Sequence, residues 1–301
     1  MPGDQRHAPL SREPGMTTRN SAASVRARLL NKARAQGVDF QLLLTRYGLE
    51  RLLYRLSVSR ERDNFLLKGA LLFDLWYDVP FRPTRDIDLL GFGLAEIPLL
   101  LAAFEGICAI EVDDGIAFDS ASIRADEIRK EANYAGIRLT LTGTIDGARC
   151  PVQIDVGYGD AVTPAPESAR YPVMFSDMPA PTLRVYPRYT VVAEKLEAII
   201  SLGMANSRMK DYFDLWVILR DAELDQTILV QAVEATLNRR GTRKPSGVPI
   251  GLSEQFSSDR QKLIQWTAFI KRNQLTAASL EQTLQELRTA LMFLFQEDHG
   301  A

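Results

Sequence analysis

The chain has 301 residues, 46% of them apolar and 25% charged, with a formal net charge of −2. This composition reads as water-soluble and globular, with length enough for one large domain or two and a real core. It excludes more than it names. The two cysteines, Cys108 and Cys150, are too few for a disulfide framework and lack zinc-ligand spacing. The two histidines, His7 and His299, stand near the ends of the chain, so a Ser-His-Asp or Cys-His mechanism has no base and a His-rich metal site has no ligands. No apolar run reaches the ~18 residues of a membrane span. The start lacks the apolar stretch of a signal peptide, so no membrane contact is expected and the cytoplasm is the expected compartment. Any catalysis must therefore run on carboxylates, lysines and metal.

Charge is unevenly spread. Residues 1–60 carry eleven Lys/Arg against four Asp/Glu, and residues 61–180 carry ten against twenty. One reading is solvated helical faces. The other is a basic surface for nucleic acid beside an acidic metal site.

Residues 1–22 are polar and contain Pro2, Pro9, Pro14 and Gly15, which predicts a disordered leader; Met16 is an alternative start. From Ser24 to Leu56 the apolar spacing is helical, with Gly37 and Gly48 expected to break it into two or three helices. Phe65-Leu66-Leu67 predicts a strand entering a tight turn at Lys68-Gly69-Ala70, followed by a helix over 71–77. Phe81 to Thr84 reads as a loop, Ile87 to Leu90 as a strand and Ala95 to Phe104 as a helix. The segments 137–142 and 152–156 alternate as strands, with Asp146-Gly147 as the hairpin turn between them. A Pro-rich connection over 164–187 separates an α/β half from a helical one. Helices are predicted over 190–204 and 210–220 and then to the end, interrupted by a polar loop at 239–251. The expected division is a leader (1–22), N-terminal helices with an α/β core (23–165) and a helical domain (166–301).

The most informative stretch is Arg85-Asp86-Ile87-Asp88. In a strand, period two puts both carboxylates on one face and Ile87 on the other. Two carboxylates on one face call for a positive partner, and a divalent metal serving phosphate chemistry is the usual one. Asp155, between apolar residues in a later strand, is a third acid able to converge on the same point. Gly69 would let backbone N–H groups approach phosphates at the start of a helix whose dipole favours anions.

This order resembles the nucleotidyltransferase superfamily, whose pattern is a Gly-Gly or Gly-Ser turn, an Asp-x-Asp strand and a later acid. More closely, the chain resembles the AbiEii/AbiGii toxin family. The matching blocks are Leu67-Lys68-Gly69-Ala70-Leu71-Leu72, Arg82-Pro83-Thr84-Arg85-Asp86-Ile87-Asp88-Leu89, Val192-Ala193-Glu194-Lys195-Leu196-Glu197-Ala198 and Arg208-Met209-Lys210-Asp211-Tyr212-Phe213-Asp214-Leu215, across residues 24–225.

The resemblance implies an α+β nucleotidyltransferase fold with a mixed sheet, flanking helices and a C-terminal helical domain that completes the active site. It implies Asp86 and Asp88 as metal ligands, Lys195 on the nucleotide phosphates and Asp211 as the remaining catalytic acid. Asp155 is a further metal candidate. Lys68, Gly69, Ala70, Arg85 and Arg208 are candidate nucleotide contacts. Mg²⁺ or Mn²⁺ is the implied cofactor and an NTP the implied substrate. The acceptor it implies is the 3′ end of tRNA, and the partner an antitoxin encoded nearby. Two alternatives stay open: transfer of AMP to protein, and a non-catalytic NTP- or RNA-binding protein with the same fold. The turn departs from the family pattern, because Ala70 stands where Gly or Ser is usual.

Other residues have plainer readings. Lys195 lies beside the buried stripe of Val191, Val192, Leu196, Ile199 and Ile200, where a lysine ordinarily snorkels. Asp211 and Asp214 open a helix, where acids favour the dipole and cap. For Asp214 that reading stands, and it is left out of the catalytic set. Trp76, Trp216 and Trp266 read as core.

Overall fold

In the computed structural model, residues 21–77, 84–130 and 134–296 are described. The expected leader lies outside these residues apart from its last two positions, and Met16, Arg82 and Pro83 lie outside them as well.

Two side chains start the N-terminal helices. Ser21 accepts from the Ser24 amide and Asp39 from the Leu42 amide, satisfying donors that a first turn leaves open. The helices run Ala22–Gln36 (α1) and Phe40–Val58 (α2), parted at Gly37, whose φ of 64° is the left-handed C-cap. The second break expected at Gly48 does not occur. Gly48 sits inside α2, where a Cβ would strike the Cys150 sulfur on the sheet below. Its role is close approach of helix to sheet rather than interruption.

The α/β half then follows in order: β1 (Phe65–Lys68), a 3-10 turn over Gly69–Leu72, α3 (Phe73–Trp76), β2 (Asp86–Gly91), α4 (Ile97–Cys108), β3 (Ala117–Lys130), β4 (Tyr134–Ile145) and β5 (Ala148–Tyr158). Asp146 and Gly147, at φ 45° and 75°, join β4 to β5 through the expected two-residue turn. The helix expected after the Gly69 turn is only a 3-10 turn and one α-turn, so its dipole is small. An anion there would meet backbone amides more than a macrodipole.

The Pro-rich segment contains two strands that its composition conceals, β6 (Glu167–Arg170) and β7 (Thr182–Val185). The sheet of seven strands has the order β3-β4-β5-β2-β1-β7-β6. It is mixed: β2 pairs parallel to β5 and antiparallel to β1, and β1 pairs parallel to β7. Ile87, Leu89, Leu139, Leu141, Val152, Ile154 and Val156 point to the buried face. α2 packs against β5, and α4 against β3. The intervening residues build an opposite face that is polar.

The helical half comprises α5 (Arg188–Leu202), α6 (Met209–Asp221), α7 (Gln226–Arg240), α8 (Glu254–Ser258), α9 (Arg260–Asn273) and α10 (Leu280–Leu291). Ile199, Tyr212, Phe213, Phe256, Leu284 and Leu287 are buried in its core, as are Trp216 and Trp266. Among the described residues, no helix is long and apolar enough to cross a membrane.

The basic excess of residues 1–60 is partly internal. Arg28 pairs with Asp177, Arg46 with Asp74, Arg51 with Glu50 and Arg55 with Asp114. Those arginines hold the fold together, so the N-terminal segment offers less free positive charge than its composition suggests.

Candidate active site

The register of β2 and β5 builds the acidic centre. Asp88 pairs with Asp155 and Asp86 with Gln153, so Asp86, Asp88 and Asp155 all emerge on the polar face. One carboxylate oxygen from each lies within 4.8 Å of the others. The three acids singled out in the two strands are thus brought together. Thr84 Oγ1 donates to Asp86 Oδ1 at 2.5 Å, which fixes that carboxylate.

Asp155 is held differently. Arg138, opposite it on β4, grips it with two parallel bonds of 2.8 Å from Nε and Nη2. The bond to Asp155 and the nearby Asp86 and Asp88 push the Arg138 pKa further up. Arg138 was not foreseen. The signal was Arg138 itself, standing on the polar face of a strand that had to pair with the Asp155 strand.

Gly69 closes the site at the end of β1. Its φ is 74°, and a Cβ there would collide with the Asp88 carboxylate. Glycine is required twice over, once for the backbone and once for the neighbouring acid. Ala70 follows in the 3-10 turn and is partly exposed.

Lys68, expected among the nucleotide contacts, instead lies inside a buried charge network. Its ammonium is 2.5 Å from Asp160 Oδ2 and 3.2 Å from Glu194 Oε1. Burial alone would lower its pKa, but Glu194 and Asp160 outweigh burial and raise it, so the ammonium stays charged. Arg240, from the end of α7, joins the network through Asp160, Glu194 and Glu197. Lys68 therefore ties the strand beside Gly69 to the helix that carries Lys195.

Lys195 itself stands 3.1 Å from Asp211 Oδ1 and 2.7 Å from Asp214 Oδ2. Both acids are buried to within 1% of full enclosure, whereas the lysine side chain keeps 14% of its surface exposed. Arg208 reaches Asp211 Oδ2 at 2.7 Å while half of its own side chain remains exposed. Asp214 is thus a partner of Lys195 and not a helix-start acid alone. Its spacing of three from Asp211 was the available signal, because such residues share a helix face and meet the same neighbour. Arg85 is exposed at the entry to β2.

The chain is similar to known proteins in sequence family and in fold. A family model described as nucleotidyl transferase AbiEii toxin, type IV TA system, matches residues 51–291. The chain belongs to the AbiEii nucleotidyltransferase toxin family. Among solved structures, JHP933 from Helicobacter pylori is similar in fold. It has a TM-score of 0.51 at 16% identity, with 85% of this chain and 92% of that one covered. A second H. pylori protein, a presumptive nucleotidyltransferase, gives a TM-score of 0.50 at 17% identity, over 86% and 96% of the two chains. No curated protein matches. The family supplies the class, a nucleotidyltransferase of a type IV toxin–antitoxin system, and implies an NTP substrate and an antitoxin partner.

Proposed function

We propose that this AbiEii-family chain transfers NMP from an NTP to the 3′-terminal hydroxyl of RNA, with tRNA as the acceptor and Mg²⁺ or Mn²⁺ as the cofactor. The observation that carries the reading is the convergence of Asp86, Asp88 and Asp155 beside Gly69, with Lys195 tied to the same corner through its neighbour Glu194 and Lys68.

The donor set suits a hard cation: three carboxylates with oxygens close together on a rigid sheet. Asp86 and Asp88 would be its principal ligands and Asp155, gripped by Arg138, the third. A divalent ion bound there would neutralise charge building on the phosphate oxygens. The remaining work falls to the chain itself. Gly69 keeps side-chain bulk away from Asp88 and leaves the turn amides open to the phosphates. Lys195 places a compact positive charge from the helical side, where it can follow charge onto the leaving pyrophosphate. Asp211 and Asp214 orient that ammonium, and Arg208, half exposed, is a second phosphate contact. The acceptor hydroxyl forms a bond to the α-phosphorus, the α–β bridging bond breaks, and a carboxylate of the aspartate cluster takes the proton.

Incubating the protein with each α-labelled NTP, Mg²⁺, total RNA and lysate protein tests this. Label on RNA, located at tRNA 3′ ends by mass spectrometry, is expected. Label on protein alone, or transfer surviving in Asp86→Ala, Lys195→Ala and Asp211→Ala, would overturn it.

A further inference from the structure

The polar face of the sheet does not end at the aspartates. Two rows of side chains run away from β2 across β5 and β4 to β3. One is Asp88, Asp155, Arg138 and Asp126; the next, one same-face step along the strands, is Asp86, Gln153, Thr140 and Arg124. Beside these rows lies a cavity of about 340 Å³, lined by the polar Arg85, Ser122, Thr140, Thr142 and Gln153 and, with apolar surface, by Leu141, Pro151 and Val152. A break in register of β3 between Asp119 and Arg124 shapes its far wall. There Ser122 Oγ accepts from the Thr142 amide at 2.9 Å and donates to the Asp119 carbonyl at 2.6 Å. Bulges of this kind often bend a strand next to an active site.

The direction of this groove follows from the chemistry. In phosphoryl transfer the attacking and leaving oxygens lie roughly in line on opposite sides of phosphorus. In the sheet, β2 has β1 with its Gly69 turn on one side and β5, β4 and β3 on the other. The Gly69 turn belongs to the first side, as does the helix of Lys195, whose neighbour Glu194 is tied to β1 through Lys68. An NTP whose pyrophosphate leaves toward Lys195 must therefore be attacked from the second, where the groove begins at Gln153, next to Asp155 on the same face.

We propose that this groove holds the terminal nucleotide of the acceptor strand, an inference that rests on the nucleotidyltransferase reading above. Its volume is at the small end for ligand pockets, about 300–1,000 Å³, which fits one nucleotide unit and not a folded segment of protein. The lining suits a ribose phosphate. Arg85 offers a cation for one phosphodiester, and Ser122, Thr140, Thr142 and Gln153 offer hydroxyls and an amide for sugar and base edges.

The test uses the full chain and a fluorescent single-stranded oligoribonucleotide with a free 3′ hydroxyl. Thr140 is exposed, so Thr140→Trp fills the groove without entering the core. The double truncation Thr140→Ala/Gln153→Ala removes contacts without adding bulk. Both variants are expected to weaken oligonucleotide binding in anisotropy, the filled groove by about tenfold or more, with Mg-NTP binding unchanged. A 4-thiouridine at the 3′ end of the probe should crosslink to peptides of β3–β5. Unchanged RNA affinity in both variants, or crosslinks confined elsewhere, would overturn the proposal. Binding and crosslinking in the groove without any transfer to RNA would uphold it while sinking the activity reading. Label on protein, with no RNA bound, would sink both.

Discussion

The pair of Arg55 with Asp114 and the cluster of Lys195 with Asp211 and Asp214 are made of similar groups at similar depth, yet they are finished differently. Arg55 donates two bonds of 2.7 and 3.1 Å to the Asp114 carboxylate, and the guanidinium also donates to the carbonyls of Arg51, Ile110 and Ile116. Both side chains are closed off from water, and every contact is internal. The lysine cluster has equally buried acids, but it is not sealed: Lys195 keeps 14% of its side chain exposed, as Lys68 does in its own network, and Arg208 keeps 50%. A satisfied, sealed pair serves the fold. A cation such as Arg208, half exposed above a fixed acid, can also meet a ligand.

The largest effects should come from the open side of this comparison. Asp86→Ala and Asp88→Ala are expected to reduce NMP transfer by about a thousandfold or more, since the donor set is lost, with melting temperatures near that of the parent chain. Lys195→Ala should lower kcat by about 10²–10³-fold, in line with removing one preorganised transition-state contact. Incorporation of labelled NMP measures both, and thermal unfolding shows whether the fold persists. Arg55→Ala should act on the fold alone. It leaves Asp114 buried and uncompensated, so about 3–5 kcal/mol of stability should be lost in urea titration. Lys195→Ala also takes a partner from the buried Asp211 and Asp214 and so costs stability as well; an unchanged kcat in the protein that stays folded would collapse the distinction.

Gly69→Ala sits between these cases. The backbone is left-handed and the new methyl would press on Asp88. A cost of about 1–2 kcal/mol is expected from the backbone alone. Metal affinity should fall as well, because the Asp88 carboxylate must move. Calorimetric titration with Mn²⁺ separates the two losses. Unaltered Mn²⁺ affinity would show that Gly69 serves only the turn.

How much of this could be read from the residues follows the reach of each interaction. The Asp86-Ile87-Asp88 strand, the Gly69 turn and the Asp146-Gly147 hairpin are local, and their patterns predicted them. The strands β6 and β7 were hidden because Glu167–Arg170 and Thr182–Val185 are short, and β7 owes its place to pairing with β1 far back in the chain. Gly48 misled because a helix-breaking residue and a residue making room for Cys150 look alike in a sequence. Lys68 and Asp214 show the same limit within the site. Whether a lysine after a strand meets a phosphate or the carboxylates of Asp160 and Glu194 depends on residues 92 and 126 positions away. The family blocks brought Lys195 and Asp211 to attention; the spacing of three put Asp214 on the Asp211 face but did not name the lysine as the shared neighbour.

A pH dependence sharpens the comparison from the sealed side. Glu50 and Arg51, neighbours on α2, are buried together with Arg51 Nε 3.2 Å from Glu50 Oε1. The pair is less well finished than Arg55 and Asp114. Glu50 Oε2 accepts from the Met174 amide at 2.7 Å, but Glu50 Oε1 and Arg51 Nε and Nη1 lack well-aligned hydrogen bonds among the described residues. Burial raises the Glu50 pKa from 4.5 to about 7, against the opposing pull of Arg51. The folded chain then holds a proton that the unfolded chain has released between those values. The unfolding free energy should therefore fall as pH rises from 4.5 to about 7, and level off above that. In Glu50→Gln the Met174 amide keeps an acceptor, and this part of the slope should disappear. Urea midpoints at pH 5 and pH 7.5 would reveal it as a smaller pH difference in the variant. An identical difference in both chains would mean that Glu50 stays ionised in the fold, sealed as firmly as Asp114.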